Sequence, residues 1–315
     1  MKKISIVTAC YNEEENVEDL YKEVKSIVNK YLSDYNYEHL FIDNASSDGT
    51  VEILKKIASI DKNVKIIVNS RNFGHIRSPV HALLQANGDI IISLCADFQD
   101  PPKLIVDLVK KWEEGNDTVL AIKKYSEENK IFFKLRTYYY NLLSKLSEIR
   151  IYKNYTGFGL YSKKVIDEIR KLPDPYPFFR GIISEVGYKI AHVEYTQPKR
   201  RKGFSKNRFY TLYDMAILGI ICNSKIPLRL SVFLGTIFSF LNIIIGLGYL
   251  TMKLLFWDQF SLGVAPLIIL SAFMFSVLLF FVGVIGEYVG AIYTQVLNRP
   301  LVHEAERINF DLDEK

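Results

Sequence analysis

Cysteine is scarce in this chain of 315 residues. Its three cysteines, Cys10, Cys95 and Cys222, are odd in number and far apart in the sequence. This excludes a disulfide framework and a zinc site with closely spaced ligands, and it favours a reducing compartment. We expect all three to be small, buried apolar side chains.

Two common kinds of motif are also missing. No GxGxxG or GxxxxGK[ST] loop occurs, so neither a dinucleotide-binding protein nor a P-loop protein is indicated. The first residues, MKKISIVTACYNEEEN, lack the apolar stretch of a secretory signal peptide. We therefore expect the large N-terminal part of the protein to lie in the cytoplasm.

Charge is absent from two long C-terminal runs. Residues 231–252 and 259–286 hold 22 and 28 uncharged residues, and about 20 are enough to cross a membrane. The short connector with Trp257 and Asp258 predicts a helical hairpin whose two ends face the same side. The alternative is a pair of helices buried in a soluble core, but core helices seldom lack charge on every face.

The charges that are present divide the chain near Pro227. The first 226 residues have a net charge of +7 and the remainder has −2. Dense aromatic and aliphatic residues at 207–226 predict an interfacial amphipathic helix, with a core helix of the soluble domain as the alternative. The predicted units are a cytoplasmic domain at 1–206, the interfacial helix at 207–226, two transmembrane helices within 227–298 (about 229–252 and 263–288) and a cytoplasmic tail at 299–315.

Short apolar runs alternate with helical patterns in the first half of the chain. The predicted strands are residues 3–9, 39–43, 64–68, 89–94 and 118–122. This alternation predicts an α/β, Rossmann-like domain in which helices cover a mostly parallel sheet.

Polar side chains follow the first four predicted strands directly. They occupy residues 11–13, 43–48, 70–74 and 97–100, and ligands of open parallel sheets bind beyond the carboxyl ends of the strands. Asp43 is suited to accept a hydrogen bond from a nucleotide base, and Glu13 from ribose hydroxyls. Asp48, just before Gly49, is also explained as an ordinary helix cap.

These segments resemble the motifs of a known family. TACYNEEEN, IDNASSDGT, SLCADFQDPP, RNFG and RRKGFSKN are similar to motifs of family 2 glycosyltransferases of fold type A (GT-A). Within that family they resemble the bacterial polyprenyl-phosphate glycosyltransferases and dolichyl-phosphate mannose synthase, with their ADLQDPP and RxxGxSK hallmarks. The resemblance extends from Ile4 to about Val296.

The resemblance implies a set of site residues. A nucleotide-sugar donor, with a UDP-sugar favoured, would be bound by Tyr11, Asn12, Glu13, Asp43, Asn44 and Arg71. A divalent cation, Mg²⁺ or Mn²⁺, would be held by Asp97 and Gln99, and Asp97 and Asp100 would be the catalytic residues. The acceptor phosphate would be bound by Arg136, Arg200 and Lys206.

Four positions depart from the family pattern. Cys95 replaces an acidic residue, Thr8 a proline, Asn44 the second Asp of DDGS, and Gly157 another acidic residue. The loss of carboxylates favours a polyprenyl phosphate acceptor, because a phosphate whose second pKa is about 6 is already anionic and needs no general base.

The sequence thus predicts a multi-pass, metal-dependent, inverting glycosyltransferase of the bacterial inner membrane. Its partners would be the donor, the lipid phosphate and the membrane, with no nucleic acid, and a homo-oligomer is left open. The alternatives are transfer to a hydroxyl of a glycan or glycolipid, and a non-catalytic nucleotide-sugar binder.

Overall fold

The computed structural model describes residues 1–126, 130–147, 149–198, 200–201, 209–256 and 264–310. The strands are β1 (Lys3–Cys10), β2 (Asn36–Asp43), β3 (Val64–Asn69), β4 (Ile90–Cys95), β5 (Thr118–Ser126), β6 (Tyr155–Ser162), β7 (Ile190–Gln197) and β8 (Glu304–Ile308). The helices are α1 (Val17–Tyr31), α2 (Thr50–Ile60), α3 (Gly74–Gln85), α4 (Leu104–Glu113), α5 (Lys130–Leu146), α6 (Lys163–Arg170), α7 (Phe179–Glu185), α8 (Phe209–Asn223), α9 (Ile226–Leu255) and α10 (Val264–Leu297).

The eight strands form one sheet in the order β7-β5-β6-β4-β1-β2-β3-β8. Strands β4, β1, β2 and β3 are parallel neighbours. Strand β6 lies antiparallel between β4 and β5, and β7 is parallel to β5. The predicted α/β fold with a mostly parallel sheet is therefore confirmed, and the exits of four parallel strands meet at one edge.

Helices cover the two faces of this sheet. Successive side chains of a strand point to opposite faces, so Ile4 and Ile6 of β1 pack in the core beneath α1, α2 and α4, while Val7 packs on the side of α3, α6 and α7. The central strands are buried on both faces, which explains their nearly continuous apolar sequences.

Helices α9 and α10 are long and apolar enough to cross a membrane, over Ile226–Leu255 and Phe273–Leu297. They pack on each other, with Asn242 Nδ2 3.4 Å from Met274 Sδ. Their apolar side chains face outward, as Val232 (71% exposed) and Phe280 (67% exposed) show. A soluble core would have covered these side chains, so the structure favours the membrane reading over the buried-helix alternative.

Helix α8 lies between the sheet domain and the apolar pair. It contacts α5, α7 and α10, and Gly219 permits the approach to α5, because a Cβ atom there would lie 2.3 Å from the Tyr139 hydroxyl. The helix carries one charged residue, Asp214, and the interfacial amphipathic role expected for residues 207–226 stays a prediction.

The C-terminal segment enters the sheet. The expected tail at 299–315 contains β8, which pairs antiparallel with β3 as an edge strand. Glu304 in β8 accepts a hydrogen bond from His81 Nε2 at 2.6 Å and from Arg307 Nη2 at 2.7 Å. The segment that follows α10 is thereby fixed to α3.

Candidate active site

The loops after β1 and β2 are joined by hydrogen bonds. Asn12 N donates to Ser46 Oγ at 2.8 Å, and Ser47 N donates to Asn12 Oδ1 at 2.7 Å. Asn12 and Ala45 have φ angles of 52° and 61°, and Asn adopts this left-handed region more readily than most residues. The two predicted donor-binding segments therefore form one rigid surface.

Asp43 lies at the bottom of this surface and is fully buried. Its Oδ1 accepts a hydrogen bond from Ser46 N at 2.9 Å, and its Oδ2 accepts one from the Ser46 hydroxyl. Burial raises the pKa of Asp43, and the hydrogen bonds from Ser46 offset this only in part. Ser46 carries no sequence signal of its own, although an Asp side chain often accepts from the backbone N–H two or three residues further on.

Glu13 and Asp48 are also tied to neighbouring backbone. Glu13 N donates to Thr50 Oγ1 at 2.8 Å, and Glu13 Oε2 accepts from Asn16 Nδ2 at 2.7 Å. Asp48 Oδ1 accepts from Thr50 N, the first residue of α2, at 3.1 Å. The N-cap residue of α2 is Gly49 rather than the expected Asp48, so Asp48 contacts the first turn from one position before the cap.

Asn44 connects the β2 exit to the loop after β3. Its Nδ2 donates to Asn72 Oδ1 at 3.0 Å and to Gly74 O at 3.2 Å. Its Oδ1 accepts from Phe73 N at 2.9 Å and from Asn69 Nδ2 at 3.1 Å. Both ends of the amide are used, which an ionised Asp could not reproduce because it has no donor. The departure from the family's second Asp thus has a structural explanation.

Arg71 lies on the exposed side of the same loop. Its guanidinium is 4.0 Å from the centre of the Phe73 ring, and Nη1 donates to Asn72 O at 3.1 Å. The backbone that Asn44 fixes therefore also sets the position of Arg71 and Asn72.

The β4 exit forms a tight turn around Phe98, whose φ is 60°. Gln99 N donates to Asp97 Oδ1 at 3.1 Å. Asp100 is buried, with Oδ2 accepting from Cys95 N at 3.3 Å and Oδ1 from the Tyr195 hydroxyl at 3.0 Å. Burial raises the pKa of Asp100. Its observed bonds shape the turn, and its catalytic role stays a prediction.

Arg200 approaches this turn from the segment that follows β7. Its Nη2 lies 2.7 Å from Asp97 Oδ2, and its Nη1 lies 3.7 Å from Glu13 Oε1. The next residue, Arg201, stacks on Phe98 with its guanidinium carbon 3.9 Å from the ring centre. Of the predicted acceptor-binding cations only Arg200 can be located, because Lys206 and the side chain of Arg136 lie outside the described residues.

A cation site would depend on few protein ligands. In the part of the chain that the structure describes, no three acidic, histidine or cysteine side chains converge on one point. Asp97 and Gln99 supply carboxylate and amide oxygens of the kind that Mg²⁺ and Mn²⁺ prefer, and Mg²⁺ commonly takes its other ligands from water and substrate phosphates. The residues fit a cation that binds together with a diphosphate.

The three cysteines are not all buried as expected. Cys10 is buried, but Cys95 and Cys222 are exposed, because Cys95 ends an inner strand at the open edge and Cys222 lies on the surface of α8.

Gly157, where relatives often carry an acidic residue, has a φ of +109°, a conformation that residues with a side chain rarely adopt. An acidic residue would be strained at that position.

Tyr195 is a residue that sequence reasoning missed. It lies 95 positions from Asp100, on a strand that was not predicted, and no local motif indicates its contact. Only the insertion of β6 beside β4 and the pairing of β5 with β7 bring it to the turn.

The chain is similar in sequence to proteins of a known family. A model of the family described as Glycosyl transferase family 2 matches residues 5–170. The uncharacterised glycosyltransferase YkcC of Bacillus subtilis (strain 168) is 36% identical over 304 residues, which cover 94% of this chain and 91% of that protein. The SfII prophage-derived bactoprenol glucosyl transferase of Shigella flexneri is 34% identical over 299 residues, 95% of this chain and 96% of that protein.

Among solved structures, a mannosyltransferase from Pyrobaculum calidifontis in complex with GDP-Man and Mn²⁺ is similar with a TM-score of 0.47 and 15% identity. The match covers 70% of this chain and 62% of that one. The resemblance of the motifs is confirmed by the family match and by relatives aligned over nearly the whole chain. The chain belongs to glycosyl transferase family 2 and is a glycosyltransferase of the GT-A fold.

Proposed function

We propose that the protein is a membrane-bound inverting glycosyltransferase that moves a sugar from a nucleotide diphosphate, preferably a UDP-sugar, to polyprenyl phosphate. Its catalytic domain would lie on the cytoplasmic face of a bacterial inner membrane. The name of the Shigella flexneri relative, a bactoprenol glucosyl transferase, supports the lipid acceptor, because the two chains align over 96% of that protein.

The contact of Arg200 with Asp97 is the observation that carries this proposal. The guanidinium lies 2.7 Å from the carboxylate at the β4 exit, and along the chain only α8 separates the Arg200 segment from the apolar helix α9. Arginine binds phosphate oxygens in a bidentate manner. A lipid phosphate held by Arg200 would therefore lie beside Asp97, the carboxylate proposed to hold the cation near the donor diphosphate.

The donor would occupy the joined loops of β1 and β2. Tyr11, Asn12, Glu13 and Asp43 would bind the nucleoside, with Asp43 accepting from a base N–H. Asn44 would act through the loop after β3 rather than through the donor, and Arg71 would approach the diphosphate from that loop. Asp97 and Gln99 would hold Mg²⁺ or Mn²⁺, which when bound neutralises charge on the leaving diphosphate.

The reaction would be a single displacement. An anionic oxygen of the lipid phosphate attacks the anomeric carbon, the bond from that carbon to the diphosphate oxygen breaks, and the electron pair leaves with the nucleoside diphosphate. No proton has to be removed from the attacking oxygen, because a phosphate monoester is already largely ionised near pH 7. The side chains of the protein act by orientation and by charge.

The apolar helices would form the membrane anchor. Helices α9 and α10 span 30 and 34 residues, and a helix of about 20 residues crosses the hydrocarbon core. The soluble domain would therefore stay close to the lipid acceptor.

Labelled nucleotide sugars incubated with membranes that contain the protein test this proposal. Mild acid releases the labelled sugar from a polyprenyl phosphosugar, whereas a glycosidic link to a hydroxyl resists that treatment. An acid-stable product would identify a hydroxyl acceptor instead. Donor binding without any turnover in the presence of Mg²⁺ or Mn²⁺ would indicate a non-catalytic binder.

A further inference from the structure

Two arginines come together where the chain leaves α10 and returns to the sheet. Arg77 belongs to α3, and Arg299 follows the last residue of α10 by two positions. Arg77 Nη2 donates to the backbone oxygen of Pro300 at 2.6 Å, while its buried Nε has no hydrogen-bond partner. The buried Nε–H of Arg77 therefore has no partner among the described residues.

Neither arginine of this pair is held in an ion pair. Among the residues that the structure describes, neither Arg77 nor Arg299 lies within ion-pair distance of a carboxylate. Burial lowers the pKa of Arg77, and the charges of Arg71 and Arg299 lower it further. Asp174 lines the same cleft as Arg299, but its Oδ1 accepts from Tyr176 N and Gln295 Nε2 instead of pairing with an arginine. Two arginines held near each other without an ion pair indicate an anion site.

An apolar cleft of about 190 Å³ begins at Arg299. Val80 and Leu84 line it and lie three and seven positions after Arg77, on the same face of α3. The opposite wall contains Ile169, Leu172, Ile182 and Leu301. Arg299 thus lines the apolar cleft, and Arg77 is bonded to the next residue, Pro300, an arrangement suited to an amphiphile with an anionic head.

The position of the pair along the chain indicates the source of that amphiphile. Arg299 comes directly after the apolar helix that ends at Leu297, the depth at which lipid phosphates lie if α10 crosses a membrane. Arg77 also lies near the loop proposed to bind the donor, because its guanidinium carbon is 5.3 Å from the centre of the Phe73 ring on which Arg71 stacks. The pair is farther from the proposed cation and acceptor residues at the β4 exit, since Arg77 follows β3, which is three strands from β4 in the sheet, or about 14 Å at the usual strand spacing.

We propose that Arg77 and Arg299 bind the phosphate of an anionic phospholipid, with the start of an acyl chain in the adjacent cleft. The bound lipid would fix the soluble domain to the membrane surface beside α10. This inference rests on the proposed membrane position of α9 and α10, and it is independent of which sugar is transferred.

The full-length protein, purified in detergent and stripped of lipid, tests the proposal. Phosphatidylglycerol should raise its melting temperature in a saturable manner, because a ligand of the folded state stabilises that state. Phosphatidylcholine, which has no net charge, should do so much less. Arg299→Gln should weaken the apparent affinity for phosphatidylglycerol about tenfold, as should Arg77→Gln, since each removes a charged hydrogen bond.

Arg299→Gln leaves the bond from Arg77 to Pro300 in place, so its effect does not depend on the folding of the tail. The matched control is Lys56→Gln with Lys110→Gln, which removes two exposed charges from α2 and α4 and should leave the affinity unchanged. Equal phosphatidylglycerol affinities in the wild type and both arginine variants would overturn the proposal.

A third ligand separates this site from the acceptor site. A short-chain polyprenyl phosphate should be bound equally by the wild type and Arg299→Gln. If it alone stabilises the protein, and only through these arginines, the site belongs to the acceptor and the proposal is wrong. Release of the wild-type protein from membranes by alkaline carbonate would instead refute the membrane position of α9 and α10, whatever the lipid result.

Discussion

Arg200 and Asp97 are joined by a 2.7 Å contact although 103 positions separate them. The same guanidinium lies 3.7 Å from Glu13, so it stands between the carboxylates at the exits of two neighbouring strands. The free protein therefore holds a positive charge where the proposed reaction requires positive charge against the donor diphosphate.

Asp97 provides the first prediction. Replacing it with alanine removes the proposed carboxylate ligand, and we expect turnover to fall about a hundredfold or more because charge on the leaving group is no longer neutralised. Product formation from labelled donor measures the effect, with circular dichroism as the control for folding. Full activity in Asp97→Ala would refute the metal assignment.

Arg200 provides the second prediction, which separates its effect on cation binding from its effect on turnover. In Arg200→Gln the carboxylate of Asp97 loses its neighbouring charge, so Mn²⁺ should bind the donor-free protein several-fold more tightly. Turnover with the lipid acceptor should fall at the same time. Titration of Mn²⁺ by electron paramagnetic resonance measures the first effect.

Arg201→Gln is the matched control for that prediction. Its guanidinium pairs with Glu23 at 3.2 Å and stacks on Phe98, and it has no recorded contact with Asp97. Equal Mn²⁺ affinities in the wild type, Arg200→Gln and Arg201→Gln would show that Arg200 does not compete with a cation.

Asn44 provides the third prediction. Asn44→Asp should destabilise the protein by about 2–3 kcal/mol at pH 7, because an ionised carboxylate would face Asn72 Oδ1 and Gly74 O without a hydrogen to donate. The donor KM should rise, since the loop that carries Arg71 loses its anchor. Urea unfolding and kinetics with the nucleotide sugar measure the two effects.

The pH dependence of that variant identifies the cause. Burial should raise the pKa of the new carboxyl above its unfolded value of about 3.9, so its penalty exists above that pH and shrinks as the pH falls and the group gains a proton. Asn36→Asp, at the exposed start of β2, the strand that Asn44 follows, should change stability by less than about 0.5 kcal/mol. Equal effects at the two positions would contradict the anchoring role.

Glu304 provides the fourth prediction. Burial alone would raise its pKa, but hydrogen bonds from His81 and Arg307 lower it from 4.5 to about 2. A carboxyl with a lowered pKa stabilises the folded state above the unfolded pKa, and that contribution is lost as the pH falls from about 4.5 towards 2. The protection factors of the β8 amides, measured by hydrogen exchange and corrected for the intrinsic rate at each pH, should fall over this range.

Substitution of the same strand gives the control. Glu304→Gln should speed exchange of β8 at pH 7 by about tenfold, because the charged partner of Arg307 and His81 is gone. Glu306→Gln should have little effect, since Glu306 pairs with Lys55 at a largely exposed position. Similar exchange rates in the two variants would mean that Glu304 does not fix the tail.

The sequence by itself determined the parts of this protein that depend on local pattern. Apolar runs between helical segments predicted the strands β1 to β5, and the side chains just after four of them predicted the site, because parallel strands bring their carboxyl ends to one edge. Two uncharged runs predicted α9 and α10, since a membrane-spanning helix needs only length and apolar character.

Tertiary structure decided the relationships between distant residues. The contacts of Arg200 with Asp97 and of Tyr195 with Asp100 depend on how the chain returns through β6 and β7, which no local pattern encodes. Strand β8 is short and polar, so only its pairing with β3 reveals it. Asn44 could be recognised as a loop anchor only from its four hydrogen bonds, because an amide has the same sequence signature whether it binds a ligand or neighbouring backbone.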